Sequence, residues 1–146
     1  MSFVRIMVHC VWATKCREKI LLEEQRRLLI THINENAKKK DIFIDTINGY
    51  TDHLHSLISL GADQSISKVM QLIKGEASHW ANNGRLFHST LEWADEYYAA
   101  SVSESQLQKV RAYIANQEEH HKKITFQEEY DEFIKSFPKF PSNKKP

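Results

Sequence analysis

The order in which strand-like and helix-like segments alternate along this chain constrains its fold more than any other feature. Four short runs are rich in β-branched and aromatic residues, which favour strands: residues 3–14, 42–49, 53–60 and 93–103. Four other segments are predicted as helices: residues 23–40, residues 64–82, a segment that runs to about residue 121, and residues 126–136. This order predicts an α+β (mixed α/β) fold, the ferredoxin-like βαββαβ plan with a central antiparallel sheet and an added C-terminal helix.

Local signals mark where these elements begin and end. Ser103-Glu-Ser-Gln106 has the sequence of a capping box and predicts the start of the helix that runs to about His121. Residues 49–52 supply turn chemistry, so strands 42–49 and 53–60 are expected to pair as a hairpin. The second strand of that hairpin is expected to lie at the centre of the sheet.

The length and composition of the chain predict one domain. A chain of 146 residues with 41% hydrophobic and 27% charged residues is an ordinary globular sequence, large enough for a single core. It contains neither an internal repeat nor a linker, so we assign residues 1–136 to one domain. Residues 137–146 are expected to form a flexible tail, because their sequence, FPKFPSNKKP, contains three prolines.

Several classes of protein are disfavoured by composition. Cys10 and Cys16 are too few for a disulfide framework or a four-cysteine zinc site, and Cys10 is expected to be a small buried side chain. No apolar run approaches the roughly 20 residues needed to cross a bilayer, and the N-terminus does not resemble a secretory signal. We therefore expect a cytoplasmic protein without a membrane partner. The net charge of +1 names no partner and is low for a nucleic-acid binder.

Two histidines one residue apart open the third predicted strand, in the stretch TDHLHSLISL. Side chains at i and i+2 of a strand point to the same face, so His53 and His55 are expected side by side. Leu54 and Leu57 are expected to serve the core on the other face. Eight histidines in the chain make such a pair a weak signal by itself, and a metal site, a surface pair and chance all remain open.

A tyrosine and a glutamine lie four residues apart on the last long helix, in RAYIANQEEHH. Tyr113 and Gln117 therefore share one helical face, along the margin of a buried stripe that contains Leu107, Val110 and Ile114. They are expected to lean over a neighbouring surface without joining the core. A tyrosine at the helix rim with an amide neighbour is the alternative.

Four stretches together carry a family resemblance: DHLHSLISL, LIKGEASHW, EWADEYYAASVSESQ and VRAYIANQEEHH. In their order and separation, over about residues 5–135, they resemble the single-tyrosine HUH transposases of small bacterial insertion sequences. That family includes the related enzymes that act on repetitive palindromes. The resemblance implies that His53, His55 and Gln117 bind a divalent metal ion, Mg²⁺ or Mn²⁺, and that Tyr113 is the nucleophile. It also implies a homodimer in which the tyrosine helix reaches into the partner's metal site.

The implied activity is that of a metal-dependent transposase for single-stranded DNA. It would cleave and rejoin DNA at hairpin-flanked ends, imperfect palindromes, through a 5′-phosphotyrosine. One alternative is a domesticated relative that binds or trims palindromes without moving itself. The other is a non-catalytic ferredoxin-like module that binds nucleic acid, which needs neither the histidine pair nor the tyrosine and glutamine.

Four basic residues are candidates for phosphate contacts: Lys15, Arg17, Lys74 and Arg85. Surface ion pairs are the alternative for each of them. Glu76 adds a negative charge near Lys74 and weakens the case for that lysine.

Other residues near the motifs receive structural interpretations. His120 and His121 are expected to complement the negative end of a helix rather than to ligate an ion. His9 is expected to be an ordinary strand histidine, and Trp80 a core residue. Asp52 either orients His53 from behind or completes the turn.

Overall fold

The computed structural model describes residues 2–135, which form a four-stranded antiparallel sheet with helices against both faces. The strands are β1 (Ile6–Thr14), β2 (Phe43–Tyr50), β3 (His53–Leu60) and β4 (Trp93–Ser101). The helices are α1 (Glu23–Lys39), α2 (Ile66–Asn83), α3 (Leu107–Ala115), α4 (Gln117–His121) and α5 (Phe126–Lys135). The strand order is β2-β3-β1-β4, so β3 is central and the predicted α+β plan is confirmed.

Helices α1 and α2 cover one face of the sheet and enclose the main core. Their buried stripes are formed by residues such as Leu29, Ile33, Met70 and Ile73, which meet inward side chains of the strands. Cys10 is fully buried there, as expected. Trp80 is only partly buried, because its ring stacks on His32 of α1 at 4.0 Å rather than entering the core.

The opposite face of the sheet carries the histidines, and here one expectation is wrong. Leu54 lies in the main core, but Leu57 lies on the histidine face, where it packs against Met7, Leu107 and Ile114 under α3. The reason is the two-residue period of a strand, which puts residue 57 on the same side as residues 53 and 55. The buried stripe predicted for α3 is thereby confirmed.

The predicted helix to residue 121 is interrupted, so that expectation is corrected. Asn116, with φ −99° and ψ 21°, separates α3 from α4. Asn48 of β2 donates from Nδ2 to the carbonyl oxygens of Ile114 and Ala115, both at 3.1 Å. These bonds satisfy acceptors that the interrupted helix leaves open.

The capping box is also absent. Ser103 makes no side-chain capping bond, and a short 3₁₀ turn at Glu104–Gln106 precedes α3. A 3₁₀ turn spaces the backbone N–H groups differently, so Gln106 does not occupy the third position of an α-helix.

Helix α5 agrees with the short helix predicted near the end of the chain. Its last predicted residue, 136, and the expected tail at 137–146 lie outside the described residues. Within residues 2–135, none of the helices combines the length and apolar character that a membrane span requires.

Candidate active site

The candidate active site lies between the sheet and the three C-terminal helices. Strand β3 contributes His53 and His55. Strand β1 contributes His9, which pairs with Leu57 and so lies two residues along the ladder from His55. The side chains of His53 and His55 are completely buried. The site is therefore an enclosed polar cluster rather than an open surface.

His53 is oriented from behind by a carboxylate. Its Nδ1 lies 2.7 Å from Asp52 Oδ1, so the Nδ1–H donates to Asp52 and the other ring nitrogen, Nε2, carries a lone pair. That Nε2 faces Gln117 Oε1 at 3.2 Å and Glu129 Oε1 at 3.5 Å. A lone pair facing two oxygen acceptors is unfavourable by itself and favourable around a cation. Of the two interpretations of Asp52, the geometry favours the orienting role.

His121 lies inside this cluster, so its interpretation as a helix-end charge is wrong. Its side chain is 2% exposed, and its Nδ1–H donates to the Ile124 carbonyl at 2.9 Å. Its Nε2 therefore also carries a lone pair. Among the described residues that nitrogen has no hydrogen-bond partner, although Glu129 Oε1 lies only 3.2 Å away. Burial, assisted by the nearby His53, lowers the pKa of His121 to about 4.

His55 is supported by a second histidine. His9 Nε2 lies 2.9 Å from His55 Nδ1, and His55 Nε2 lies 3.0 Å from Glu129 Oε1. Burial lowers the pKa of His9 to about 4. Burial, followed by the charge of His53, lowers the pKa of His55 well below its usual range. Both rings are therefore neutral near pH 7, the form in which imidazole binds metals.

Glu129 is the site residue that the sequence interpretation missed. It projects from α5, is 2% exposed, and lies among five other polar side chains. Burial, with a smaller contribution from Asp52, raises the pKa of its carboxyl to about 8. A signal was available, since Phe126, Glu129, Tyr130 and Phe133 follow helical spacing and put a charge within an apolar stripe.

Gln117 and Tyr113 close the other side of the cluster. Gln117 is fully buried, contrary to the expectation of a marginal position, because α4 turns inward after Asn116. Its Nε2 donates to the Tyr113 carbonyl at 3.2 Å, which turns Oε1 towards His53. The Tyr113 hydroxyl donates to Glu129 Oε2 and lies 3.3 Å from His120 Nε2. His120 thus also contacts the site.

The donor set fits a divalent metal ion. One ligand atom from each of His53, His55, His121 and Glu129 lies within 4.8 Å of all the others, and Gln117 Oε1 adjoins His53. Two of the imidazole nitrogens carry lone pairs directed at this centre, and that of His121 is a buried polar atom without a hydrogen bond. Mixed nitrogen and oxygen ligands suit several divalent ions.

The predicted DNA-contact residues are dispersed. Lys15 pairs with Glu92 at 3.3 Å, while the Arg17 guanidinium lies 5.5 Å from the Phe126 ring, beside the site. Lys74 Nζ donates to two backbone carbonyls of β4, and Arg85 follows the end of α2, so both lie across the sheet from the histidines.

Glu76 faces α1. It pairs with His32 at 2.5 Å, so its charge is directed to that contact and not to the histidine cluster.

The cluster is formed by one chain. The Tyr113 ring lies 5.5 Å from the ring of its own chain's His55. The nucleophile candidate and the histidines therefore lie close together within a single chain.

Comparison with known proteins gives one family. The sequence model of the family "Transposase IS200 like" matches residues 2–117. The ISDra2 transposase TnpA of Deinococcus radiodurans is 24% identical over 115 residues, covering 75% of this chain and 81% of that protein.

Two solved structures share the fold. A transposase structure from Deinococcus radiodurans R1 has a TM-score of 0.63 and 20% identity, covering 80% of this chain and 93% of that chain. A REP-associated tyrosine transposase bound to a REP hairpin has a TM-score of 0.60 and 15% identity, covering 80% of this chain and 68% of that chain.

The family match covers all four strands, helices α1–α3 and Gln117. His121 and Glu129 lie beyond its end. It includes the histidine pair and Tyr113, and it covers well over half of the sequence. On this ground the chain belongs to the IS200-like transposase family.

Proposed function

We propose that this protein is a metal-dependent transposase that cleaves and rejoins single-stranded DNA at hairpin-flanked ends, with Tyr113 as the nucleophile. The observation that carries the proposal is the position of Tyr113, whose ring lies 5.5 Å from the ring of the buried His55 and whose hydroxyl lies 3.3 Å from His120 Nε2. A nucleophile next to a cation site is the arrangement that phosphodiester cleavage needs, because the phosphate is anionic and resists attack.

The metal ligands in this proposal are His53, His55 and Gln117, with His121 as a further candidate. A bound Mg²⁺ or Mn²⁺ ion would neutralise and polarise the scissile phosphate. Asp52 and His9 fix the ring orientations of the histidine pair, and the Tyr113 carbonyl fixes the amide of Gln117.

The covalent step balances without a further reactant. The Tyr113 oxygen gives up its proton and forms a bond to phosphorus, the bond from phosphorus to the 3′-oxygen breaks, and the 3′-oxygen takes up one proton and leaves as a 3′-hydroxyl. The product is a 5′-phosphotyrosine, which preserves the energy of the phosphodiester, so a second 3′-hydroxyl can reverse the step.

Strand exchange requires two such sites, because each chain has one nucleophilic tyrosine. We therefore propose a homodimer. The position of Tyr113 beside its own chain's histidines supports cleavage within one chain. In the arrangement expected from the resemblance, where the tyrosine helix serves the partner, α3 and α4 would have to leave this position.

The DNA partner is proposed from a relative with the same fold. That relative is described as bound to a REP hairpin. Among the four basic candidates, Arg17 has the best support, since it lies beside α5 at the rim of the site. We place the activity in the cytoplasm, in a domain of residues 1–136, with residues 137–146 outside it.

The test is formation of a covalent protein–DNA adduct. Single-stranded hairpin oligonucleotides tiled across the DNA that flanks the gene would be incubated with protein and Mn²⁺ and resolved on a denaturing gel. We expect an adduct with the unaltered protein and with Tyr97→Phe, a partly buried control tyrosine, and none with Tyr113→Phe or in EDTA. An adduct with Tyr113→Phe would remove that residue from the proposed role.

A further inference from the structure

The enclosed state of the site is in conflict with the size of its proposed substrate. A DNA strand must bring a phosphate between the imidazole nitrogens and the Tyr113 hydroxyl. His53, His55 and Gln117 are nevertheless completely buried. Helix α5 covers them from the side opposite the sheet, with Phe126 stacked on the His53 ring at 4.4 Å.

The Glu129 carboxyl group occupies the position that the phosphate needs. Its Oε1 lies 3.0 Å from His55 Nε2, 3.2 Å from His121 Nε2 and 3.5 Å from His53 Nε2. Its other oxygen, Oε2, accepts the Tyr113 hydroxyl hydrogen and lies 3.1 Å from His120 Nε2.

The two carboxyl oxygens of Glu129 thus face different groups. Oε1 faces the proposed metal ligands, and Oε2 faces the proposed nucleophile, Tyr113. Two non-bridging oxygens of a phosphate held for attack by Tyr113 would be divided in the same way. A carboxyl group and a phosphate both present two oxygen atoms, one of which can face a cation while the other accepts the Tyr113 hydroxyl hydrogen, so one group can take the place of the other.

We propose that Glu129 is a built-in substitute for the scissile phosphate, and that α5 is a latch (Phe126–Lys135) which the DNA strand must displace. This inference rests on the proposed function of the same site. It adds a regulatory step, because the closed latch keeps Tyr113 and the histidines from DNA until a strand competes for them.

The contacts of the latch are of a kind that can open. Apart from Glu129, the buried side of α5 meets the sheet through aromatic and small apolar residues, including Phe126, Tyr130 and Phe133 against Val11 and Ala13. A helix of ten residues has little stability alone and depends on such packing. Its outer side exposes Glu128, Asp131 and Glu132, which repel an approaching phosphate backbone while the latch is closed.

A permanent metal-ligand role for Glu129 makes the opposite prediction. A ligand would be lost in Glu129→Ala, so metal affinity and substrate binding would both fall. A phosphate substitute would be removed in the same variant, so the metal would stay and a phosphodiester would bind more easily.

The experiment compares the full chain with Glu129→Ala and with Glu132→Ala, an exposed control on the same helix. The probe is the thymidine dinucleotide dTpdT, and the measurement is the enhancement of its ³¹P relaxation by protein-bound Mn²⁺. We expect Glu129→Ala to strengthen dTpdT binding at least fivefold, with Mn²⁺ affinity by calorimetry changed less than threefold. Glu132→Ala should match the unaltered protein.

Two other results would overturn the latch. Equal dTpdT binding by all three proteins would show that Glu129 does not compete with a phosphodiester. A tenfold or larger loss of Mn²⁺ affinity in Glu129→Ala would make Glu129 a ligand.

Failure of the proposed function gives a different pattern. If none of the three proteins binds Mn²⁺, both the proposed metal site and the proposed latch are wrong. If Glu129→Ala gains dTpdT binding but tiled hairpin DNA gives no adduct with any variant, the latch stands and the nuclease proposal falls.

Discussion

His53 illustrates how a single side chain in this site is prepared for a metal ion. Its Nδ1–H is held by Asp52 at 2.7 Å, and its Nε2 lone pair points at oxygen atoms of Gln117 and Glu129. Asp52 therefore sets the tautomer of His53 from the side of the ring opposite the proposed metal position. The residue that orients His53 is its neighbour in sequence, in the turn that precedes β3.

Asp52→Asn tests this orientation. An amide carries no charge and can present its N–H₂ group instead of an oxygen, so it holds the His53 tautomer less well. We expect Mn²⁺ affinity, measured by calorimetry on metal-stripped protein, to fall about 10–100-fold. The control is Asp63→Asn, an exposed carboxyl in the loop before α2. A change of less than about twofold in Asp52→Asn would mean that the ring is held by packing alone.

His9→Asn tests the neutral histidine pair through pH. In the unfolded chain a histidine binds a proton near pH 6.5, whereas His9 in the folded protein does so only near 4. Between those values the unfolded state binds the extra proton, so acid favours unfolding and stability falls as pH falls. Acidification from pH 6.5 to about pH 5 should therefore lower the free energy of unfolding by about 1.6 kcal/mol through His9.

Urea titrations of metal-free protein at the two pH values would measure this cost. His9→Asn should reduce the loss of stability on acidification by that amount, while the exposed His88→Asn should not change it. The raised pKa of Glu129 acts in the opposite direction, because the folded state then binds the proton, but this contribution cancels in the comparison. An identical pH dependence in His9→Asn and the unaltered protein would contradict the argument.

At the scale of elements, the β2–β3 hairpin fixes where the histidines lie. Gly49 of β2 faces Leu54 across the ladder, and a Cβ built on it would lie 2.3 Å from the His53 carbonyl oxygen and 2.5 Å from a Leu54 methyl carbon. A backbone atom cannot move aside cheaply, so only glycine allows the two strands to approach this closely. The glycine is therefore part of the scaffold that positions His53 in the proposed metal site.

Gly49→Ala and Gly75→Ala form a matched pair. The first should lower the free energy of unfolding by at least about 2 kcal/mol, because the added methyl group overpacks the hairpin, and should weaken Mn²⁺ binding by moving His53. Gly75 lies in α2, where a Cβ meets nothing within 4 Å, so alanine should raise stability by about 0.5–1 kcal/mol. Chemical denaturation measures both, and a stable Gly49→Ala protein with normal Mn²⁺ affinity would refute the close-approach argument.

For the whole molecule, the arrangement of subunits decides how catalysis is shared. Tyr113 lies beside the histidines of its own chain, and Arg26 of α1, 3% exposed, holds α4 through Glu118 at 2.9 Å. Asp45 of β2 likewise binds Arg111 of α3 through two bonds of 2.9 and 2.8 Å. These ties anchor the tyrosine-bearing helix to its own domain.

Mixing two inactive proteins tests this anchoring. Tyr113→Phe retains the histidines, and His53→Ala retains the tyrosine, but neither chain has both. We expect the mixture to form no adduct with hairpin DNA, because a complete site needs both residues in one chain. Adduct at about a quarter of the normal level would instead show that the tyrosine helix serves the partner's site.

Metal binding should also stabilise the whole domain. The proposed ligands come from β3 and α4, so an ion would tie the sheet to the C-terminal helices. At a free Mn²⁺ concentration about 100 times Kd, the free energy of unfolding should rise by about 2.7 kcal/mol. The gain should vanish in EDTA and in His53→Ala, and a gain that persists in His53→Ala would place the ion elsewhere.

The sequence by itself determined the local and periodic properties of this protein. The two-residue period put His53 and His55 on one face, and the order of elements led to an α+β sheet with β3 at its centre. Sequence reasoning also predicted that Tyr113 and Gln117 lie close together, although they belong to two helices that Asn116 separates. These features depend on interactions between residues that are near one another along the chain, which is why they could be predicted.

Only the tertiary structure decided which distant residues complete the site. Glu129 is 74 residues from His55 in sequence, and its contact depends on how α5 packs on the sheet. His121 enters the cluster because the helix is interrupted at Asn116. At this interruption Asn48 of β2 donates hydrogen bonds to the last two carbonyl groups of α3, those of Ile114 and Ala115. Such contacts follow from the free energy of packing in three dimensions: the helical spacing around Glu129 marks a buried charge in α5, but it does not identify the residues that this charge contacts.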